Sequence, residues 1–169
     1  ISGFYVCLYW FPEAMRGLIE LFEPLSRWMR GRPSDQWFAY GVFYTFAVLL
    51  LGVKFIYKYR HNRYQVIRTL SVMFFQLMFS FLIPAWMQLM NQPDFYFTYF
   101  WPLKYDYLFP GTVSWLTQSY ERLGVFLVFW GAMMTVVATP VLTWFFGKRW
   151  YCSWVCGCGA LAETAGDPF

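Results

Sequence analysis

Three stretches of the chain carry no charged side chain and are dominated by apolar residues: Trp37–Val53, Thr69–Met90 and Leu123–Gly147. A bilayer's hydrocarbon core is about 30 Å thick and takes roughly 20 helical residues to cross. Each stretch is therefore read as a transmembrane helix. The first runs on into "KFIYKY", where Lys54 and Lys58 can extend their stems along the helix and hold their ammonium groups at the interface. Pro84 lies within the second stretch and Pro140 near the far end of the third. At both, the missing N–H predicts a kink or local break.

The remaining segments change pattern. In residues 1–36, "ISGFYVCLYWFP" is apolar but too short to span, and fits the end of a helix that begins earlier. It is followed by "EAMRGLIELFEPLSRWMRGRP", where charges alternate with Leu18, Ile19, Leu21, Phe22, Leu25, Trp28 and Met29. This suits an amphipathic helix at the membrane interface, broken around Pro24, or else a linker packed on neighbouring helices. The expected organisation is an N-terminal segment 1–36, a three-span domain 37–147 and a cysteine-bearing segment 148–169. With no methionine or cleavable leader at the start, the residues read as a piece of a longer polypeptide.

Composition strengthens the membrane reading. Only 13% of residues are charged, against about a quarter in ordinary globular chains, while 59% are hydrophobic and 25% aromatic. The fold class expected is all-α integral membrane. Between the first two spans, "KFIYKYRHNRYQVIR" holds Lys54, Lys58, Arg60, Arg63 and Arg68 with no acidic residue. Positive-inside asymmetry places that connection in the cytoplasm. The cysteine segment, which follows the third span beside Lys148 and Arg149, falls on the same side, and a bacterial inner membrane is the expected setting. The opposite loop, residues 91–120, has eleven aromatics among its thirty residues. It reads as an interfacial belt, a re-entrant cap or a subunit contact, with quinone a candidate ligand.

Three of the four cysteines, Cys152, Cys156 and Cys158, fall within "GKRWYCSWVCGCGALAE" as C-x3-C-x-C. Thiolates favour soft metals and iron–sulfur clusters. Gly157 and Gly159 flank the third cysteine and allow backbone to approach an inorganic core closely. N–H groups of such a turn can donate to cluster sulfurs. Lys148 and Arg149 favour the thiolate form, and "ALAETAG" predicts a short helix leaving the site. The competing readings are structural zinc, lipidation and unligated thiols. Zinc sites ordinarily show paired cysteines or histidines, and the chain has one histidine, His61, across a span from the cluster. Juxtamembrane cysteines are palmitoylation targets, without needing this spacing. A 4Fe-4S cluster usually takes four cysteines. Cys7, in an apolar segment, reads as a small buried hydrophobe, so the fourth ligand is not identified and is expected from a partner or from further sequence.

"RWYCSWVCGCGALAE", following a span, resembles the C-x3-C-P motif of membrane-bound polyferredoxin-like proteins. These include the NapH and NosR types of nitrate and nitrous oxide respiration and the related cytochrome oxidase accessory ferredoxins. The resemblance implies a 4Fe-4S cluster at Cys152 and Cys156 and electron exchange among the quinone pool, clusters and partner redox proteins. Gly157 stands where that family has proline, with Cys158 added one residue later. No second C-x3-C set occurs in the chain.

Other chemistries lack their residues. A single histidine cannot supply bis-histidine haem ligation, and C-x-x-C-H, a phosphate-binding glycine loop and a dinucleotide fingerprint are all missing. The spans hold no carboxylate for ion coupling. Nothing points to nucleic acid. The expectation is an electron-transfer component of an oxidoreductase complex, with Cys152, Cys156 and Cys158 holding metal. Its partners would be membrane lipid and other subunits. The alternative is a non-catalytic accessory or assembly subunit with a metal-binding or structural thiol cluster.

Overall fold

The computed structural model describes residues 2–11, 13–92, 95–98 and 105–166. All regular structure among them is helical. Three short helices, α1 (Ser2–Trp10), α2 (Arg16–Leu21) and α3 (Glu23–Arg30), precede the first span. The break falls at Phe22, one residue before Glu23, and Pro24 sits in the first turn of α3. There a missing N–H costs nothing, because the first turn has no intrahelical acceptor for it.

The first span is α4 (Gln36–Lys58). The second is α5 (Arg63–Leu77), a π-helical turn (Met78–Leu82) and α6 (Ile83–Leu89). A 3-10 turn (Tyr105–Leu108) leads into α7 (Pro110–Met133), a second π turn (Met134–Ala138) and α8 (Thr139–Phe146), which together contain the third span. Three helices, Gln36–Lys58, Arg63–Leu89 and Arg122–Phe146, are long and apolar enough to cross a membrane. Their outer faces carry bare apolar side chains, Trp144 at 86% and Val136 at 70% exposure among them. In water such surface would be strongly unfavourable.

The local break expected at each proline takes the form of a π turn in an otherwise continuous helix. Each proline follows a π turn by two residues, Pro84 after Leu82 and Pro140 after Ala138. The wider i→i+5 turn absorbs the bonding register that a proline ring disrupts, so the helix continues. The stretch read as a loop over residues 91–120 is α-helical in its last eleven residues, since α7 begins at Pro110.

That helix is not a straight rod. A Cβ on Gly124 would stand 2.0 Å from the Leu116 carbonyl oxygen, whereas eight residues of straight helix span about 12 Å. The chain therefore folds back within α7. Its first turns lie on the start of the third span, around a core of Phe95, Leu116 and Leu127. Trp130 Nε1 donates to the Phe97 carbonyl at 3.2 Å, so residues 95–98 also fold back against this span. Residues 93, 94 and 99–104 of this aromatic stretch lie outside the described residues.

At one end of the bundle a buried cation joins three helices. Arg30, 8% exposed, donates to both carboxylate oxygens of Asp35 at 3.2 Å and to Gln88 Oε1. It also lies 5.0 Å over the Phe38 ring. Asp35 in turn caps α4, accepting from the Phe38 N–H at 2.7 Å. Midway along the bundle, Gln76 Nε2 donates to Thr45 Oγ1 at 3.3 Å and joins α5 to α4. A polar pair inside apolar spans satisfies groups that lipid could not.

Partial burial raises the Asp35 pKa, but hydrogen bonds from Arg30 and the Phe38 N–H, with the nearby positive charge, hold it below the usual carboxylate value. A carboxylate depressed on folding stabilises above its unfolded pKa of about 3.9, and that contribution is lost as pH falls through the lower folded value. Asp35→Ala is expected to cost about 1 kcal/mol as a lost cap alone, more with Arg30 left without its anion. Thermal unfolding in detergent, read by tryptophan fluorescence across a pH series, should show this difference at neutral pH and its convergence below about pH 4.

Candidate iron–sulfur site

The cysteine segment folds as two short helices crossing closely, not as a loop. Gly147, at φ +83°, ends the third span and redirects the chain into α9 (Trp150–Trp154), and α10 (Gly157–Gly166) follows two residues later. Cys152 stands on α9, Cys156 in the turn and Cys158 in the first turn of α10. The expected short helix after the site is present and begins at Gly157, inside the motif.

Contacts back to the spans seat this unit. Ser71 Oγ donates to the Trp154 carbonyl at 2.9 Å, and the Trp154 ring meets Tyr64 at 5.8 Å. Arg68 pairs with Glu163. Tyr151 OH donates to the Thr98 carbonyl at 2.9 Å, which links the site to the aromatic stretch at residues 95–98. Trp150 Nε1 donates to Thr143 Oγ1 at 3.2 Å.

Two glycines set how close the approach can be. A Cβ on Gly159 would stand 2.0 Å from the Cys152 carbonyl oxygen, and one on Gly157 would stand 2.5 Å from Gln76 Oε1 and 3.1 Å from the Tyr44 hydroxyl. Gln76 is thirteen residues from either end of Arg63–Leu89, about 20 Å each way at 1.5 Å per residue. The turn therefore lies against the middle of the second span rather than beyond its end. From there α10 runs toward the basic connection, where Glu163 meets Arg68.

The thiols are not equivalent. Cys156 and Cys158 are hydrogen-bonded to one another. The bond from the Cys156 thiol lowers the Cys158 pKa to about 5 against the opposing effect of burial, with further help from Tyr44 and the Cys158 N–H. The same bond and burial push Cys156 up, although the N–H groups of Gly159 and Cys158 are directed at its sulfur. Tyr44 OH donates to Cys158 Sγ at 3.1 Å. Cys152 is exposed, and Cys7 is half-buried on α1. Among the described residues no three His, Cys, Asp or Glu side chains converge as a metal-holding group.

The donor set nevertheless suits an iron–sulfur cluster. It offers soft thiolates, one stabilised as the anion, with backbone N–H groups aimed at sulfur and glycine at the close contacts. Cys156 and Cys158 are brought together as the spacing suggested, while Cys152 stays on the neighbouring helix. Sequence reasoning missed Tyr44 and Gln76. Gln76 could have been flagged as an amide in the middle of an apolar span, but Tyr44 is one of thirteen tyrosines and carried no such signal.

Comparison with known families agrees with this chemistry. Residues 126–169, from within α7 through the cysteine segment, match the family model of a 4Fe-4S binding domain. Comparison with curated proteins gives no match, and neither does comparison with solved structures. Iron–sulfur binding is thus the supported chemistry of the segment.

The crossing of α9 and α10 makes a steric prediction. Gly159→Ala should destabilise the protein by about 1–3 kcal/mol, the range for overpacking, because the obstructing atom is backbone and cannot rotate away. Gly166→Ala, at a position with open space around it, should be close to neutral. Parallel thermal unfolding of the two variants in detergent distinguishes them.

Proposed function

We propose that this chain is the membrane part of an iron–sulfur electron-transfer subunit of the NapH/NosR-like polyferredoxin type. In this reading Cys152, Cys156 and Cys158 supply three ligands to a 4Fe-4S cluster, and the fourth comes from further sequence or a partner subunit. The carrying observation is the match of residues 126–169 to a 4Fe-4S binding domain, together with a thiol pair toward which N–H groups are directed. When bound, the cluster supplies one-electron chemistry. The protein's own residues hold it beside the spans and close to lipid-soluble carriers, with quinone or quinol the natural exchange partner. In this reading the basic connection Lys54–Arg68 faces the cytoplasm by the positive-inside rule, with the cysteine segment entering a bacterial inner membrane from that side, and the bare apolar faces of the spans suit lipid and neighbouring subunits of a redox complex.

A second reading, an accessory or assembly subunit with a metal-binding thiol pair, draws on the absence of a converged three-ligand group among the described residues. Iron and acid-labile sulfide, measured on full-length protein purified anaerobically from membranes, separate the two. Electron transfer predicts about four of each per site and a low-temperature EPR signal that appears on dithionite reduction. Cys156→Ser or Cys158→Ser should abolish it, with Cys152→Ser weakening or abolishing it. Zinc, or metal-free thiols, would leave the accessory reading standing.

A further inference from the structure

The hydroxyl of Tyr44 reaches the cysteine segment from α4, more than a hundred residues earlier in the chain, and donates to Cys158 Sγ at 3.1 Å. Its position is constrained on several sides. The neighbouring Tyr40 ring lies 5.8 Å away along the same helix. Gly157 comes so close that a Cβ there would stand 3.1 Å from both the hydroxyl oxygen and Cε1 of Tyr44. Gln76, whose amide is tied to Thr45, crowds the same position, with its Oε1 2.5 Å from that Cβ. The first two spans thus hold a hydroxyl donor at a sulfur, and the glycine in the motif leaves room for it.

We propose that Tyr44 is a positioning residue for the redox centre: its hydroxyl, presented by the first span, hydrogen-bonds the Cys158 sulfur and sets the reduction potential of the cluster that this sulfur ligates. The proposal rests on Cys158 being a ligand, as argued under Proposed function. One-electron reduction makes no bond and breaks none. It adds negative charge that is shared by the ligating sulfurs, so a donor to sulfur stabilises the reduced form more than the oxidised form. A hydroxyl fixed at hydrogen-bond distance acts on that sulfur directly, so the difference does not depend on the site being closed to solvent. The bond therefore raises the potential, and its removal lowers it.

The test is a redox titration of the full-length protein in lipid nanodiscs, monitored by EPR. Wild type is compared with Tyr44→Phe, which keeps the ring and removes the donor, and with Tyr64→Phe, which alters a ring against Trp154 but touches no sulfur. Tyr44→Phe should retain iron and sulfide yet show roughly a tenfold smaller reduced-to-oxidised ratio at fixed potential, equivalent to about 59 mV to the negative side for one electron. Tyr64→Phe should titrate with wild type. A Tyr44→Phe protein with full cluster content and an unmoved potential overturns the proposal while leaving the iron–sulfur reading intact, and so does an equal shift in Tyr64→Phe. A wild-type protein without a cluster overturns both. Should Tyr44→Phe fail to load, 3-fluorotyrosine incorporated at position 44 is the second arm. Its more acidic hydroxyl should move the potential upward, and no movement overturns the proposal.

Discussion

The arrangement of the cysteines depends on one short-range contact: the backbone of Cys152 lies against residue 159, in space that any β-carbon would fill. Because that residue is glycine, α9 and α10 can cross at backbone distance. With the helices crossed this closely, Cys158 reaches Tyr44 and the carbonyl of Trp154 reaches Ser71. A few ångströms of extra separation would move α10 off the spans and take with it the contacts of Glu163 to Arg68 and of Cys158 to Tyr44. Side-chain chemistry makes the site suited to metal, but steric permission puts it where it is.

That placement ties the thiols to the electrostatics of the bundle. Polar groups without partners are costly in lipid, and several polar residues of the first two spans are engaged with one another or with the cysteine segment. Thr45 and Gln76 satisfy one another, and the hydroxyl of Tyr44 turns to sulfur. At the far end Arg30 is enclosed by Asp35, Gln88 and the Phe38 ring. Fixed polar contacts at these two levels hold the helices in register where apolar packing alone would let them slide.

Much of this was legible in the sequence. Uninterrupted apolar runs located the spans, because length and lack of charge are what a bilayer demands. C-x3-C-x-C located the thiols, because soft ligands in close spacing have few other uses. The boundaries were less legible. α4 extends past Val53 to Lys58, since snorkelling lysines let a helix outlast its apolar core. The second span starts six residues before Thr69, at Arg63, for the same reason. The fold-back within α7 was hidden because Gly124 looks like any other glycine in an apolar run. Tyr44 was hidden because a hydrogen bond over 114 positions of chain leaves no local pattern. Proline marked where the helical register is interrupted but not that the interruption is a π turn, because hydrophobicity has no sensitivity to a change from four- to five-residue bonding.

Those π turns bear on how the protein tolerates length changes. A π turn is equivalent to one extra residue accommodated in an α-helix, and at 3.6 residues per turn each residue rotates the remainder of its helix by about 100°. Losing one residue between Met78 and Leu82 would return the second span to regular α-helical phase. It would also swing Gln88 by that angle, away from Arg30. The equivalent loss between Met134 and Ala138 would instead turn α8, and with it Thr143, the anchor of Trp150. The two turns act as phase adjusters, one for each end of the molecule, and the second of them determines the direction from which the chain enters the cysteine segment.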